Sequence, residues 1–498
     1  MYRPVSARKN ANFSECADMT VGNGIFTAKL IGPTGRGNGL TGNAHLSRGN
    51  RIGMGEHFEK LRDRDNIHVH GGPEGNSHRI IDSFSDCNIE RRILENLSDA
   101  GITKPTAVQR AVLPIMLNEE NDLIVQAETG SGKTAAYLIP AICLIRRLKS
   151  NLRGKALKKN HPLCIVVTPT RELAGQVAHE ARLIAENTGV SVALTYGQMD
   201  MVKCRNDIEK GCDILVATPG RLIGHYEERS LHFSNVNWII MDEADQMFDF
   251  SLGQFVVPFL KLTKANPYLR IYAFSATFTQ GVIEAMTRDY LKPDFYVVTG
   301  RAAPKDNIKQ RFIEVEHNMK RTLLVMTMNK ILKKNQKNVP TGQPSKFPKT
   351  IIFVDTKFET NYLAIFLTNL GYPCLSFNGD RTQLMRERAI DDFSKGRCAI
   401  MISTNVCARG LNMKGVEYVI NYDIPIKCQE MFMHRIGRTG RAGNAGTAYT
   451  FFEIGRDELN AVEIKSMIED CGIDVPDFIL DCVDRQQNPV GFFHEGEE

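Results

Sequence analysis

From Ser83 onward the chain alternates short apolar runs with longer mixed stretches. Leu123 to Val125, Leu163 to Val167, Ile214 to Ala217, Trp238 to Met241 and Ile271 to Phe274 have strand length and little polar content. Uniformly apolar runs of that length fit strands buried on both faces. Between them, Thr134 to Lys149 and Glu172 to Asn187 read as helices. A second series follows: Ile351 to Val354, Ala399 to Ile402, Tyr418 to Ile420 and Ala448 to Phe452. Apolar runs separated by helices predict a parallel sheet covered on both sides. Two such series predict two doubly wound α/β domains in tandem, over 81–300 and 301–485, joined near Thr299 to Lys305.

Residues 1–80 break this rhythm. They hold 13 of the chain's 40 glycines and keep neither helical nor strand periodicity, which predicts a disordered tail. Arg36-Gly37 and Arg48-Gly49 give it a sparse RGG-like character, with a plain flexible leader as the alternative. Residues 334–348 are basic, polar and Pro/Gly-bearing, and read as a surface loop inserted in the second domain. An acidic tail, 486–498, closes with Glu495, Glu497 and Glu498.

Composition narrows the class. The 498 residues carry 62 basic and 57 acidic side chains, a net charge of +5, so a basic groove is allowed but not required. The 12 cysteines form no CxxC pair, which argues against a zinc site and fits a reducing compartment. The first ten residues lack the apolar core of a secretory signal. The apolar stretch Tyr137 to Ile145 contains Pro140, stops at Arg146, and is too short to span a bilayer. The expectation is a soluble intracellular protein with no membrane partner.

Chemistry enters with Ala127-Glu128-Thr129-Gly130-Ser131-Gly132-Lys133-Thr134, between an apolar run and a helix. Glycines let a backbone wrap phosphates, and the helix N-terminus offers N–H donors and a favourable dipole. Lys133 would pair with the β/γ-phosphates and the Thr134 hydroxyl would ligate Mg²⁺. Asp242-Glu243-Ala244-Asp245 follows the run Trp238 to Met241, which places the acids at a strand's carboxyl end, where open α/β sheets bind ligands. Asp242 would hold Mg²⁺ through water, and Glu243 would orient or deprotonate the attacking water.

With these motifs in order, the chain resembles a DEAD-box RNA helicase from about Phe84 to Leu480. The Q motif, within 82–110, runs from Phe84 to Gly101, Pro105, Thr106 and Gln109. Pro169 to Ala174, Thr218 to Arg221, Ser275-Ala276-Thr277, Gln383 with Arg386, Thr404 to Asn412 and His434 to Arg441 complete the series. The flavour is that of the Vasa/Ded-like subgroup. The resemblance implies RecA-like folds for both domains and ATP with Mg²⁺ as the nucleotide. It also implies an RNA-dependent ATPase that couples two-domain closure to local strand separation or ribonucleoprotein remodelling. It implies that Phe84 stacks on adenine and Gln109 reads its edge, that Gly410 and Asn412 face the nucleotide, and that Arg438 and Arg441 act as arginine fingers. Arg171, Thr218, Gly220 and Arg221 would line RNA in the first domain, and Gly379, Arg381, Gln383 and Thr404 in the second. Asp245, Ser275, Thr277, Arg386 and His434 would couple the two sites. Partners implied are RNA read with weak sequence preference and ribonucleoprotein proteins, with the chain a monomer. The location implied is cytoplasmic, extending to perinuclear or germ granules, with the nucleus left open.

Four positions depart from the family pattern: Gln198 for Gly, Asn378 for His, Asn405 for Asp and Asn412 for Asp. Asn412 keeps hydrogen-bonding capacity toward a ribose but loses the charge. These departures sit on the RNA and coupling side and leave the phosphate chemistry intact. They keep open a second reading, an ATP-gated RNA clamp that rarely unwinds.

Overall fold

The computed structural model describes residues 67–73, 80–128, 130–152, 158–248, 250–263, 266–278, 280–300, 307–337, 347–405, 413, 415–425, 429–440, 444–470 and 472–487. Two sheets organise them. The first contains β1 (Ile67–Gly71), β2 (Leu123–Gln126), β3 (Cys164–Val167), β4 (Val192–Thr195), β5 (Ile214–Ala217), β6 (Trp238–Asp242), β7 (Arg270–Ser275) and β8 (Tyr296–Gly300). Their order is β1-β8-β2-β7-β6-β3-β5-β4. The second contains β9 (Ile308–Val315), β10 (Thr350–Phe353), β11 (Cys374–Phe377), β12 (Ile400–Ser403), β13 (Tyr418–Asn421) and β14 (Gly446–Glu453), in the order β11-β12-β10-β13-β14-β9. Every pairing is parallel except that of β1 with β8.

The uniform apolar runs are explained by burial on both sides. Cys164, Val166, Ile214, Val216, Trp238, Ile240, Tyr272 and Phe274 feed the core on one face of the first sheet. Their alternates Ile165, Val167, Leu215, Ala217, Ile239, Met241, Ile271 and Ala273 feed the core on the other. A strand exposes neither parity, so neither parity is polar. The second sheet repeats the scheme, with Ile351 and Phe353 on one side and Ile352 and Val354 on the other. Each fully buried side chain of this kind contributes roughly 1.5–3 kcal/mol of transfer free energy.

Two boundaries differ from expectation. Residues 67–71 lie in the stretch read as tail, yet pair in register with Tyr296–Gly300, from Ile67↔Gly300 to Gly71↔Tyr296. The alternating IHVHG pattern, half-buried at Ile67 and Val69, is that of an edge strand rather than a core strand. The helix Lys320–Lys337 absorbs the first four residues assigned to the inserted loop; residues 338–346 lie outside the described set. No helix among the described residues is long and apolar enough to cross a membrane.

Candidate active site and RNA-facing cleft

The carboxyl ends of β2, β7 and β6 lie side by side, with Gln126 opposite Ser275 and Asp242 opposite Phe274. Beyond β2 the chain is tied to β7 by Ala127 N–H donating to Ser275 O at 3.0 Å. It then turns through Gly130 (φ 88°) and Gly132 (φ 92°) into the helix Lys133–Asn151. Positive φ makes glycine the fitting residue at both points. Gly132 also has no room for a side chain, since a Cβ would lie 2.7 Å from Gln109 Nε2 and 2.9 Å from Thr106 Oγ1.

That crowding explains where Gln109 sits. The helix Ala107–Asn118 starts with a capping box between Thr106 and Gln109. Gln109 Oε1 accepts from Thr106 N–H at 3.0 Å, and Nε2 donates to Gly132 O at 3.1 Å. Both ends of the amide are thus already engaged, with one N–H and one lone-pair direction left for a base edge. Phe84 has a second role beside the one the resemblance gives it. It is 5% exposed and packs in the first domain's core.

Lys133 is buried, and its ammonium donates to Ala127 O at 2.6 Å and Glu128 O at 3.2 Å. Asp242 accepts from Tyr137 Oη–H at 2.9 Å and from Glu243 N–H at 3.1 Å. Burial raises the Asp242 pKa, against the opposing pull of Lys133. Glu243 is 3% exposed and its backbone is held at φ 53°, a left-handed conformation that costs a non-glycine residue energy and clusters at working sites. Burial pushes its carboxyl up to about 7, Lys133 opposes, and Asp242 and Asp245 add to the rise. Its Oε2 is buried and accepts no hydrogen bond among the described residues. An ionisable oxygen left open beside Asp242 and Lys133 fits a water or hydrated cation, so the donor set suits Mg²⁺. Asp245 accepts from Ser275 Oγ–H at 2.6 Å and Thr277 Oγ1–H at 3.2 Å, which joins the acidic motif to β7.

Four candidates for RNA contact in the first domain come together. Arg171, Thr218, Gly220 and Arg221 line one open cleft of about 500 Å³. In the second domain, Arg381 bonds Asn361 Oδ1 at 3.0 Å and also Ser376. Gln383 begins the helix Gln383–Ser394, receiving Arg386 at 2.6 Å and donating to Glu387 at 3.1 Å. Gly379 is exposed, and Thr404 is buried at the end of β12. Thr129, Gly410, Asn412 and Arg441 lie outside the described residues.

The two domains meet through side chains. Arg386 Nη1 lies 3.0 Å from Glu172 Oε1, with both side chains almost fully buried, and Tyr196 Oη–H donates to Glu387 at 2.8 Å. Arg438 is 1% exposed, hydrogen-bonds His434 O at 3.1 Å, and acts electrostatically on Glu243. Glu172, Tyr196 and Glu387 were not singled out by sequence. Glu172 stands beside Arg171 in a motif already marked, so it was within reach; Tyr196 carried no signal. Another residue that sequence reading left without a role is Arg435, fully buried. It donates twice to Asn405 Oδ1, at 2.8 and 2.6 Å, and to Asp423 O at 2.6 Å. Asn405 is thus a neutral acceptor for Arg435, whose ion pair is made with Asp355 at 3.2 Å.

Two family models match the chain: DEAD/DEAH box helicase over residues 106–285 and the helicase conserved C-terminal domain over 328–443. The ATP-dependent RNA helicase vasa of Drosophila melanogaster is 34% identical over 403 residues, covering 81% of this chain. The alignment takes in 58% of that relative's length. Among solved structures, S. cerevisiae Dbp5 bound to RNA and ADP BeF3 is 25% identical, covering 82% of this chain and 98% of that one, with a TM-score of 0.64. The DEAD-box helicase Mss116 bound to ssRNA and UDP-BeF is 25% identical over 80% of this chain and 82% of that one, with a TM-score of 0.69.

Proposed function

The chain belongs to the DEAD/DEAH box helicases, and from that premise we propose that it is an RNA-dependent ATPase whose two domains close over ATP and RNA to separate strands locally. The observation that carries this reading is the burial of Arg438 at the junction, acting on Glu243 of the opposite domain. A cation from the second domain beside the carboxylate that faces the nucleotide makes hydrolysis depend on closure.

In this reading Lys133 leaves its carbonyl partners for the β/γ-phosphates. Glu243, as carboxylate, takes a proton from the attacking water through Oε2. Arg438 stabilises the negative charge that spreads over the γ-phosphoryl oxygens. Mg²⁺, held by Thr134 and by Asp242 through water, would neutralise phosphate charge when bound. Gln109 offers its remaining donor and acceptor to the adenine edge. Arg171, Thr218, Gly220 and Arg221 on one side, and Gly379, Arg381, Gln383 and Thr404 on the other, hold the RNA mainly by phosphate and sugar. RNA is then gripped with weak sequence preference. A cytoplasmic location, with germ granules the compartment to image, belongs to the same proposal.

The test is ATPase rate with and without single-stranded RNA, beside separation of a short duplex, in the wild type and Arg438→Ala. The variant should bind ATP while losing about 10³-fold or more in RNA-stimulated rate. A wild-type rate in Arg438→Ala would refute closure-dependent hydrolysis. An ATPase indifferent to RNA would refute the RNA-dependent reading itself.

A further inference from the structure

The cleft of about 500 Å³ in the first domain is not only a phosphate surface. Its floor is bare backbone: Gly197, Gly220 and Gly224 all line it. A Cβ on Gly220 would touch the Phe255 ring at 3.7 Å, and one on Gly224 would touch Met201 Cε at 3.9 Å, so these side chains lie directly against the glycines. The lining includes Arg171 and Arg221. Among the described residues neither forms an ion pair. Arg221 instead donates to Met199 O at 3.1 Å, which orients the guanidinium without neutralising it. The lining also has an apolar part, Leu252 and Phe255 of the helix Phe250–Thr263. Phe255 is half-buried, and its ring stacks on no other aromatic ring among the described residues.

Two guanidiniums without an ion pair and a half-buried aromatic ring, lining one cleft over bare backbone, match one chemical object: a nucleotide, with a phosphate for the cations and a base for the ring. We propose that this cleft receives one unstacked nucleotide of the RNA strand, its phosphate on Arg171 and Arg221 and its base against the ring of Phe255. Phe255 is then a positioning residue that pulls one base out of the stack, with Leu252 and Met201 bounding the slot. This rests on the RNA-dependent reading above and adds a base contact to a grip otherwise made through phosphate and sugar. A ring reads any base face, so strand selectivity stays weak while the path of the strand is set.

The test uses the full chain and fluorescently labelled single-stranded RNA, with anisotropy titrations over a salt series. Phe255→Ala should weaken binding by on the order of tenfold with the salt slope unchanged, because stacking releases no counterions. Phe255→Trp should restore it, and Phe255→Leu should not. Arg221→Ala should instead reduce the slope of log K against log salt by about 0.7. A scan of single abasic positions, made on the wild-type protein, should find one position costing the same factor, and Phe255→Ala should be blind to it. Wild-type affinity in Phe255→Ala, full rescue by leucine, or an abasic scan without a sensitive position would each overturn the slot. A wild-type chain that binds no RNA would instead overturn the functional reading on which the slot depends.

Discussion

Removing the Arg386 side chain tests how the two domains hold each other. The pair joins the helix Arg171–Ile184 to the helix Gln383–Ser394, whose cores are separate. In Arg386→Ala, Glu172 is left as a buried carboxylate without its cation, but only while the domains are together. Breaking a buried pair from one side costs about 3–5 kcal/mol. The approach is 3.0 Å, yet Glu172 Oε1 and Arg386 Nε record no hydrogen bond, so the geometry is off line and the low end applies. About 3 kcal/mol corresponds to a hundredfold loss of the closed population. The expected outcome is a fall of about two orders of magnitude in RNA-stimulated ATPase at limiting RNA, with basal nucleotide binding intact and the thermal midpoint of each domain little moved. Interdomain fluorescence transfer should show the open form dominating when ATP and RNA are present. Glu172→Gln should recover part of the loss in the Arg386→Ala background, since a neutral amide tolerates burial better than a lone charge. Unchanged RNA dependence in Arg386→Ala, with the closed form still populated, would refute the reasoning.

Three other perturbations read separate features. For Glu243, whose folded pKa of about 7 lies above its ordinary 4.5, the folded state keeps a proton that the unfolded chain has released. Its stability contribution is therefore present below about pH 4.5 and lost as pH rises through about 7, a change on the order of 3 kcal/mol. Glu243→Gln should flatten that part of the urea-denaturation profile between pH 5 and pH 8 in nucleotide-free protein, keep RNA binding in ATP, and all but abolish turnover; an identical pH profile would count against the assignment. Gln198 sits at φ 74°, so Gln198→Gly should raise stability by about 0.5–1 kcal/mol, seen as a higher midpoint in urea, and a lower midpoint would mean that its side chain outweighs the strain. Gln109→Ala should both erode preference for ATP over GTP and weaken binding of either, because the amide also holds Gly132 and Thr106; loss of preference with undiminished affinity would separate the two roles.

The central strands could be read from the sequence because both parities of each are buried. The strands that escaped reading were β1, β4, β8, β9 and β11, and four of these are sheet edges. An edge strand has one open flank and mixed burial, so Ile308–Val315 reads IKQRFIEV rather than as an apolar run. The phosphate loop and acidic motif were legible because their chemistry is local: glycines at positive φ, a lysine at a helix start, acids behind a buried strand. What stayed hidden was relational. Nothing near Tyr196 signals that it meets Glu387, 191 residues on.

The antiparallel pairing of β1 with β8 changes what the leader is for. Without residues 67–71, Tyr296–Gly300 would show a raw ladder of amide and carbonyl groups along one flank, next to the strand that delivers the phosphate loop. Bare flanks of that kind recruit strands from other molecules. A chain trimmed at Ser83, the point where the apolar rhythm begins, would keep every motif and yet be prone to self-association. β1 moves the open flank one strand away from β8, and its exposed histidines leave the new edge short and polar.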